Sequence, residues 1–264
     1  MTHKLYLSSL RKYFIRVAIE KSQLIFGRHP VMDALKGGRT IDKIYLQRGI
    51  RGEFEKEVRQ LSKAHRIELK VVPKERLSKW TTKNHQGIVA IASLLPYYQI
   101  EDVLPTIYEK GETPLFLLLD GVTDVRNVGA IARSAVCCGV HALIMPQKNN
   151  AQLNAEAIKT SAGALQHLTI CRPLSLMNTL DFLHQNGIQT LASSLEAMIS
   201  LPKLDLTSPS AIIMGSEDKG VSAAVLKRTT QQFIIPQTDL TNSFNVSVAS
   251  GIILYEAMRQ RLTV

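Results

Sequence analysis

Five polar residues, each just beyond an apolar run, could do chemistry together in this 264-residue chain: Asn127, Arg133, Glu217, Ser243 and Asn245. Asn127 and Arg133 follow the run Leu115–Asp120 in L-L-D-G-V-T-D-V-R-N-V-G-A-I-A-R-S-A. Arg133 interrupts a helical pattern of Val128, Ile131, Ala132, Ala135 and Val136. A guanidinium on that face needs an anionic partner or a site opening. Glu217 follows Ala211–Gly215 in I-I-M-G-S-E-D-K-G-V-S, where Gly215 and Gly220 let the backbone fold tightly against a ligand. Ser243, Asn245 and Ser247 crowd the start of the last helical stretch with short side chains able to hold a hydroxyl group. Each residue also has a plainer reading. Asn127 is a helix cap, Arg133 a core salt bridge to Asp120 or Glu217, Glu217 a solvated acid, and the serines and Asn245 are redundant caps.

The elements that must position these residues follow from hydrophobic pattern. Leu115–Asp120, Ala142–Pro146, Gln189–Ser193, Ala211–Gly215 and Phe233–Pro236 are continuous apolar runs, as in strands covered on both faces. Helical stretches lie between them at 127–138, 153–164, 176–186 and 222–229, and the last runs from about Asn245 to Leu262. Alternation of this kind predicts an α/β fold with a parallel sheet, whose ligands sit at the carboxyl ends of its strands. Before residue 95, β-like runs (43–47, 68–72, 87–93) alternate with helical patterns around 31–35 and 53–65, suiting a second, small α/β domain. Between them, residues 94–114 hold three prolines and Gly111 without clean periodicity, and read as a linker.

Charge divides the chain at the same place. The net charge is +10, but residues 1–95 carry 20 Lys/Arg against 8 Asp/Glu and the remainder carry 12 against 14. The first part is built to meet a polyanion, with nucleic acid the leading candidate. No apolar run approaches the ~18 residues needed to span a bilayer. The three cysteines fit neither a disulfide scaffold nor spaced metal ligands, so no metal is expected. Phosphate loops, G-x-G-x-x-G, zinc motifs and G-x-S-x-G are all absent from the sequence. Residues 1–21 are basic with no acid before Glu20, and read as an RNA-contacting arm, a mitochondrial transit peptide or an over-long start.

Taken together, D-G-V-T-D-x-x-N-x-G-A…R, M-G-x-E-x-x-G and S-x-N-V-S-V-A resemble the three motifs of the SpoU (TrmH-like) branch of the knotted RNA methyltransferases. F-G-R-H-P-V-M-D-A-L (26–35) and H-Q-G-I-V (85–89) resemble the small RNA-binding domain of RlmB-type 23S ribosomal RNA 2′-O-ribose methyltransferases. The resemblance implies a basic extension (1–23), an RNA-binding domain (24–95), a linker (96–113) and a trefoil-knotted, parallel-sheet methyltransferase domain (114–264). It implies methylation of a ribose 2′-hydroxyl, most simply in large-subunit ribosomal RNA. Transfer RNA, an antibiotic-resistance role and a non-catalytic RNA-binding or ribosome-assembly role are the alternatives. S-adenosylmethionine would be held by Met214, Gly215, Gly220, Ile235 and Phe244, the last where the family commonly has Leu. Asn127, Arg133, Glu217, Ser243 and Asn245 would form the catalytic cluster, with Arg133 clamping a phosphate and Glu217 orienting Arg133. A cytoplasmic homodimer through the last helix is also implied.

Overall fold

The structure is a computed structural model that describes residues 23–238 and 243–263. The basic extension therefore lies almost wholly outside the described residues. The chain first builds β1 (Leu24–Phe26), α1 (Arg28–Lys36), β2 (Ile41–Gln47), α2 (Glu53–Ala64), β3 (Glu68–Val72), α3 (Lys74–Ser78) and β4 (Ile88–Ala92). These strands form one mixed sheet in the order β1-β4-β2-β3, with only β2 and β3 parallel. One face of this sheet buries Val31, Leu35 and Val58 from α1 and α2, and the other packs Tyr45, Leu77 and Trp80. The rings of Trp80 and Tyr45 lie 4.3 Å apart, so the lone tryptophan packs against the core.

Residues 100–109, read above as linker, form a helix, α4 (Ile100–Glu109). Ile100, Val103, Leu104 and Ile107 give it an i, i+3, i+4, i+7 apolar face, which Pro105 disguises in the sequence. The remaining elements are β5 (Leu115–Asp120), α5 (Val125–Cys137), β6 (Ala142–Ile144), α6 (Ala155–Thr160), β7 (Thr169–Cys171), α7 (Leu176–Gln185), β8 (Gln189–Ser193), β9 (Ile199–Ser200), β10 (Ser210–Gly215), α8 (Ala223–Leu226), β11 (Gln231–Ile234) and α9 (Val246–Leu262).

The seven strands pair in parallel in the order β7-β6-β5-β10-β8-β11-β9. Alternation within β5 shows why its run is continuous. Leu115, Leu117 and Leu119 pack toward α5, α6 and α9, whereas Phe116 and Leu118 pack toward α4 and α7. Strands covered on both faces have no polar side to show. Gly129 lets α5 approach α6 closely, since a Cβ there would stand 2.1 Å from Thr160 Oγ1.

The two sheets are joined by buried charge. Asp42 on β2 accepts from Tyr97 Oη at 2.6 Å and from Arg172 Nη1 at 3.1 Å, just past β7. Both charged residues are nearly inaccessible, at 7% and 6% exposure. Although desolvation opposes its charge, Tyr97 and Asp42 hold the Arg172 guanidinium protonated. Removing one member of such a pair strands the other. Arg172→Leu is expected to cost about 3 kcal/mol in urea unfolding, and Asp42→Leu added to it should recover part of that loss.

Candidate active site

The carboxyl ends of β10, β8 and β11 surround a cavity of about 360 Å³. Met214 and Gly215 end β10 at its floor, and residues 216–221 curl over it. That curl is fixed by two backbone hydrogen bonds, Ser216 N–H to Gly220 O at 3.0 Å and Gly220 N–H to Ser216 O at 2.8 Å. Gly220 closes the turn at φ +65°, which favours glycine. Gly215 lies beneath it with no room for a side chain: an added Cβ would be 1.9 Å from Gly220 C and 2.0 Å from Val221 N. Asp120 pins the end of this loop by accepting from Ser222 N–H at 2.8 Å. The opposite wall carries Ile235, Ser243 and Phe244, with Phe244 39% exposed. Ser194, Leu195 and Glu196, after β8, complete the lining. No sequence motif marked them; only the general rule that ligands sit at strand carboxyl ends points there.

Beside the cavity, Asn245 organises the polar cluster. Its Oδ1 caps α9 by accepting from Ser247 N–H at 2.9 Å and from Ser247 Oγ at 2.6 Å. With the oxygen so engaged, the amide Nδ2 must face the other way. It donates to Asn127 Oδ1 at 3.3 Å and to Glu217 Oε1 at 3.2 Å, joining the three polar segments in one place. Asn127 is not a cap. The helix begins two residues earlier, where Asp124 accepts from Arg126 N–H at 2.8 Å. Burial opposes ionisation of Asp124, but its bonds from Arg126 outweigh it and hold the carboxyl below the ordinary value.

Arg133 is not bonded to this cluster among the described residues. It is exposed and forms no ion pair among the described residues, so the core salt bridge to Asp120 or Glu217 is not made. No hydrogen bond joins Glu217 to it among the described residues: one Glu217 oxygen is engaged by Asn245, and one Asp120 oxygen by Ser222. Helical spacing places Arg133 on the outward stripe of α5 with Arg126 and Cys137, beside exposed Val136.

The cavity suits a nucleoside-sized group with a cationic centre. Met214, Ile235, Val246 and Ala249 offer apolar surface, the loop backbone offers hydrogen bonds, and the carboxylates of Glu196, Glu217 and Asp218 outnumber the one cation on its lining, Lys219. Among the described residues no cluster of metal-ligating side chains occurs, and no helix is long and apolar enough to cross a membrane.

Comparison with known proteins agrees with this geometry. Residues 114–255 match the SpoU rRNA Methylase family, and residues 24–98 match a module described as RNA 2′-O ribose methyltransferase substrate binding. The chain is 30% identical to YacO of Bacillus subtilis, which is named as a TrmH family tRNA/rRNA methyltransferase, over 92% of this chain and 97% of that one. A Staphylococcus aureus protein of the same description is 32% identical over 90% of this chain and 96% of its own length. Among solved structures, the AviRb methyltransferase of Streptomyces viridochromogenes, bound to AdoMet, shares the fold at a TM-score of 0.61 and 23% identity, covering 95% of this chain and 96% of that one. A structure described as an RNA 2′-O ribose methyltransferase aligns at a TM-score of 0.53 and 27% identity, covering 91% and 90%. A family match over more than half the chain, on a parallel sheet with its cavity at the strand ends, establishes the protein as a member of the SpoU/TrmH family of RNA methyltransferases.

Proposed function

We propose that the protein transfers the methyl group of S-adenosylmethionine to a ribose 2′-hydroxyl in RNA, with large-subunit ribosomal RNA as its substrate. The carrying observation is the Asn127–Asn245–Glu217 cluster, whose Glu217 lines the cavity that would hold the cofactor. Met214, Gly215, Gly220, Ile235 and Phe244 line that cavity and would hold the cofactor. When bound, the cofactor supplies an electrophilic methyl group on a sulfonium. Asn127 Nδ2 and the second Glu217 oxygen take no partner among the described residues, and with Ser243 they are free to hold a ribose. Arginine stays protonated, so it cannot take the hydroxyl proton. Arg133 instead supplies positive charge and a fork for a neighbouring phosphate. The Glu217 carboxylate is the acceptor we assign to the proton.

Arg133 reaches a site best if the enzyme is a homodimer. α9 buries Val246, Ala249, Ile253 and Ala257 against its own chain, yet its opposite face exposes Val248, Tyr255 and Leu262. A helix apolar on both sides is one that something covers on both sides. α9 packs on α5, and a Cβ on Gly251 would meet Ser134 Oγ at 3.6 Å, so the stripe adjoins Val136 and Arg133. Across a two-fold axis, Arg133 would serve the partner's cluster. We also read the chain as knotted, in keeping with β11 lying beside β8 in the sheet while the helix that follows it, α9, packs on α5.

The ribosomal assignment draws on the basic module at residues 24–98 and on the family description. An Aquifex aeolicus enzyme described as tRNA modifying matches only 62% of this chain, at 29% identity and a TM-score of 0.52. Labelled methyl groups should enter undermethylated ribosomal RNA and not transfer RNA. Incorporation into transfer RNA alone would overturn the substrate assignment, and incorporation into neither would overturn the activity. We place this chemistry in the cytoplasm.

A further inference from the structure

The small domain contains a recess of about 830 Å³ that takes no part in the candidate active site. It is bounded by the start of α1, the turn after β2, and the segment from Thr81 to Gly87 that leads into β4. Arg28, Lys74 and Lys83 border it, no acidic side chain lines it, and none of the three is paired with a carboxylate among the described residues. Residues 24–95 hold 15 Lys/Arg against 7 Asp/Glu, so the recess opens on the basic part of the molecule. Such a site attracts phosphate.

Its wall is built, not merely left open. His85 is 7% exposed, and its Nδ1 accepts from Gly87 N–H at 3.0 Å. The neutral ring then carries its hydrogen on Nε2, toward Ser78 Oγ at 3.3 Å, and Ser78 passes a hydrogen bond on to Lys74 O at 3.2 Å. His85 therefore braces the loop. Gln86 has φ +49°, a left-handed conformation that costs a non-glycine residue about 1–3 kcal/mol. Three bonds hold it: Gln86 Oε1 accepts from Arg28 N–H at 2.8 Å, Asn84 Oδ1 accepts from Gln86 N–H at 3.1 Å, and Gly87 O accepts from Gln47 N–H at 2.8 Å. Strain over-determined in this way belongs to sites that must be shaped before a ligand arrives.

The recess also offers a stacking surface. The Arg28 guanidinium lies over the Phe54 ring at 4.7 Å, and a planar guanidinium is a surface on which an unstacked base can lie. Hydroxyl and amide groups of Thr81, Thr82 and Asn84 stand around it, able to meet donors and acceptors of a base edge. A duplex keeps its bases stacked inside and cannot enter a recess, whereas a splayed single-stranded nucleotide can.

We propose that this recess captures an unpaired nucleotide of the RNA substrate, with its phosphates on Lys74 and Lys83 and its base stacked on Arg28. The inference rests on the RNA methyltransferase reading above and adds to it the structural class of RNA recognised: a loop or single strand, not a helix. The test uses the full chain and the combined variant Arg28→Ala, Lys74→Ala, Lys83→Ala, three exposed positions outside the core. Fluorescence anisotropy would compare a short single-stranded RNA with a blunt RNA duplex of the same sequence. The native protein should prefer the single strand by about tenfold. The variant should lose that preference, lower the log–log salt slope by about two, and raise KM for RNA while binding S-adenosylmethionine normally by calorimetry. A variant that binds the single strand as tightly as the native protein, or a native protein that prefers the duplex, overturns the inference and leaves the recess to another ligand class. Native protein that methylates no RNA brings down the methyltransferase reading itself, whereas methylation with an unchanged KM in the variant brings down only the recess.

Discussion

Gly215→Ala is expected to abolish binding of S-adenosylmethionine and to cost about 3 kcal/mol or more of stability. The reason is space, not conformation. The added methyl would fall 1.9 Å from Gly220 C and 2.1 Å from Gly220 O, both backbone atoms held by the paired Ser216–Gly220 hydrogen bonds. No side-chain rotation relieves such a contact, so the loop over the cavity must lift. Gly220→Ala makes a useful contrast. Nothing lies within 4 Å of its absent Cβ, and the penalty comes only from φ +65°. That change should cost about 1–2 kcal/mol and weaken cofactor binding modestly. Calorimetric titration with S-adenosylmethionine, beside thermal unfolding, separates the two. Equal effects of both substitutions would show that the cavity does not depend on the packing of its curl.

Arg133→Ala is expected to lower kcat by about a thousandfold while cofactor affinity stays within the native range. An exposed side chain with no ion pair among the described residues contributes little to folding, so the loss would be chemical and not structural. Arg133→Lys should restore little, because an ammonium lacks the two-pronged geometry that grips phosphate. Arg133 makes no bond to Glu217 or Asn127 of its own chain among the described residues, which gives a sharper expectation. Mixing Arg133→Ala with Glu217→Ala protomers should recover activity, to about a quarter of native at random pairing, because each hybrid assembles one complete site. Two inactive variants that stay inactive after mixing would place Arg133 within its own chain's site and remove the argument for a shared one.

Much of the architecture is legible before any coordinates. β5 and β10 show themselves as Leu115–Asp120 and Ala211–Gly215 because burial on both faces leaves an uninterrupted apolar run. Short edge elements leave no such trace: β7 has three residues and β9 two, too few for any periodicity. α4 was hidden for a different reason, since Pro105 sits inside a helix whose apolar spacing is otherwise regular. For the site, strand-end logic brings Glu217 and Asn245 to one edge of the sheet. The partner each one takes is set by contacts far apart in sequence. Asp120 is a reasonable anion for Arg133 by sequence, yet it is held by Ser222 N–H, 102 residues away. Asn127 reads as a cap by residue type, but Asp124, three residues earlier, takes that role. Neither competition can be judged from types and spacing alone.

The central claim is that the acceptor is a ribose 2′-hydroxyl, and the most direct measurement is alkaline digestion of RNA methylated by the purified protein with labelled S-adenosylmethionine. Alkali cleaves RNA through attack by the 2′-oxygen on the adjacent phosphate, and a methylated 2′-oxygen cannot attack. The account predicts that the label is recovered in alkali-resistant dinucleotides, and that it vanishes with Arg133→Ala. Label recovered in ordinary mononucleotides would place the methyl group on a base and contradict the account.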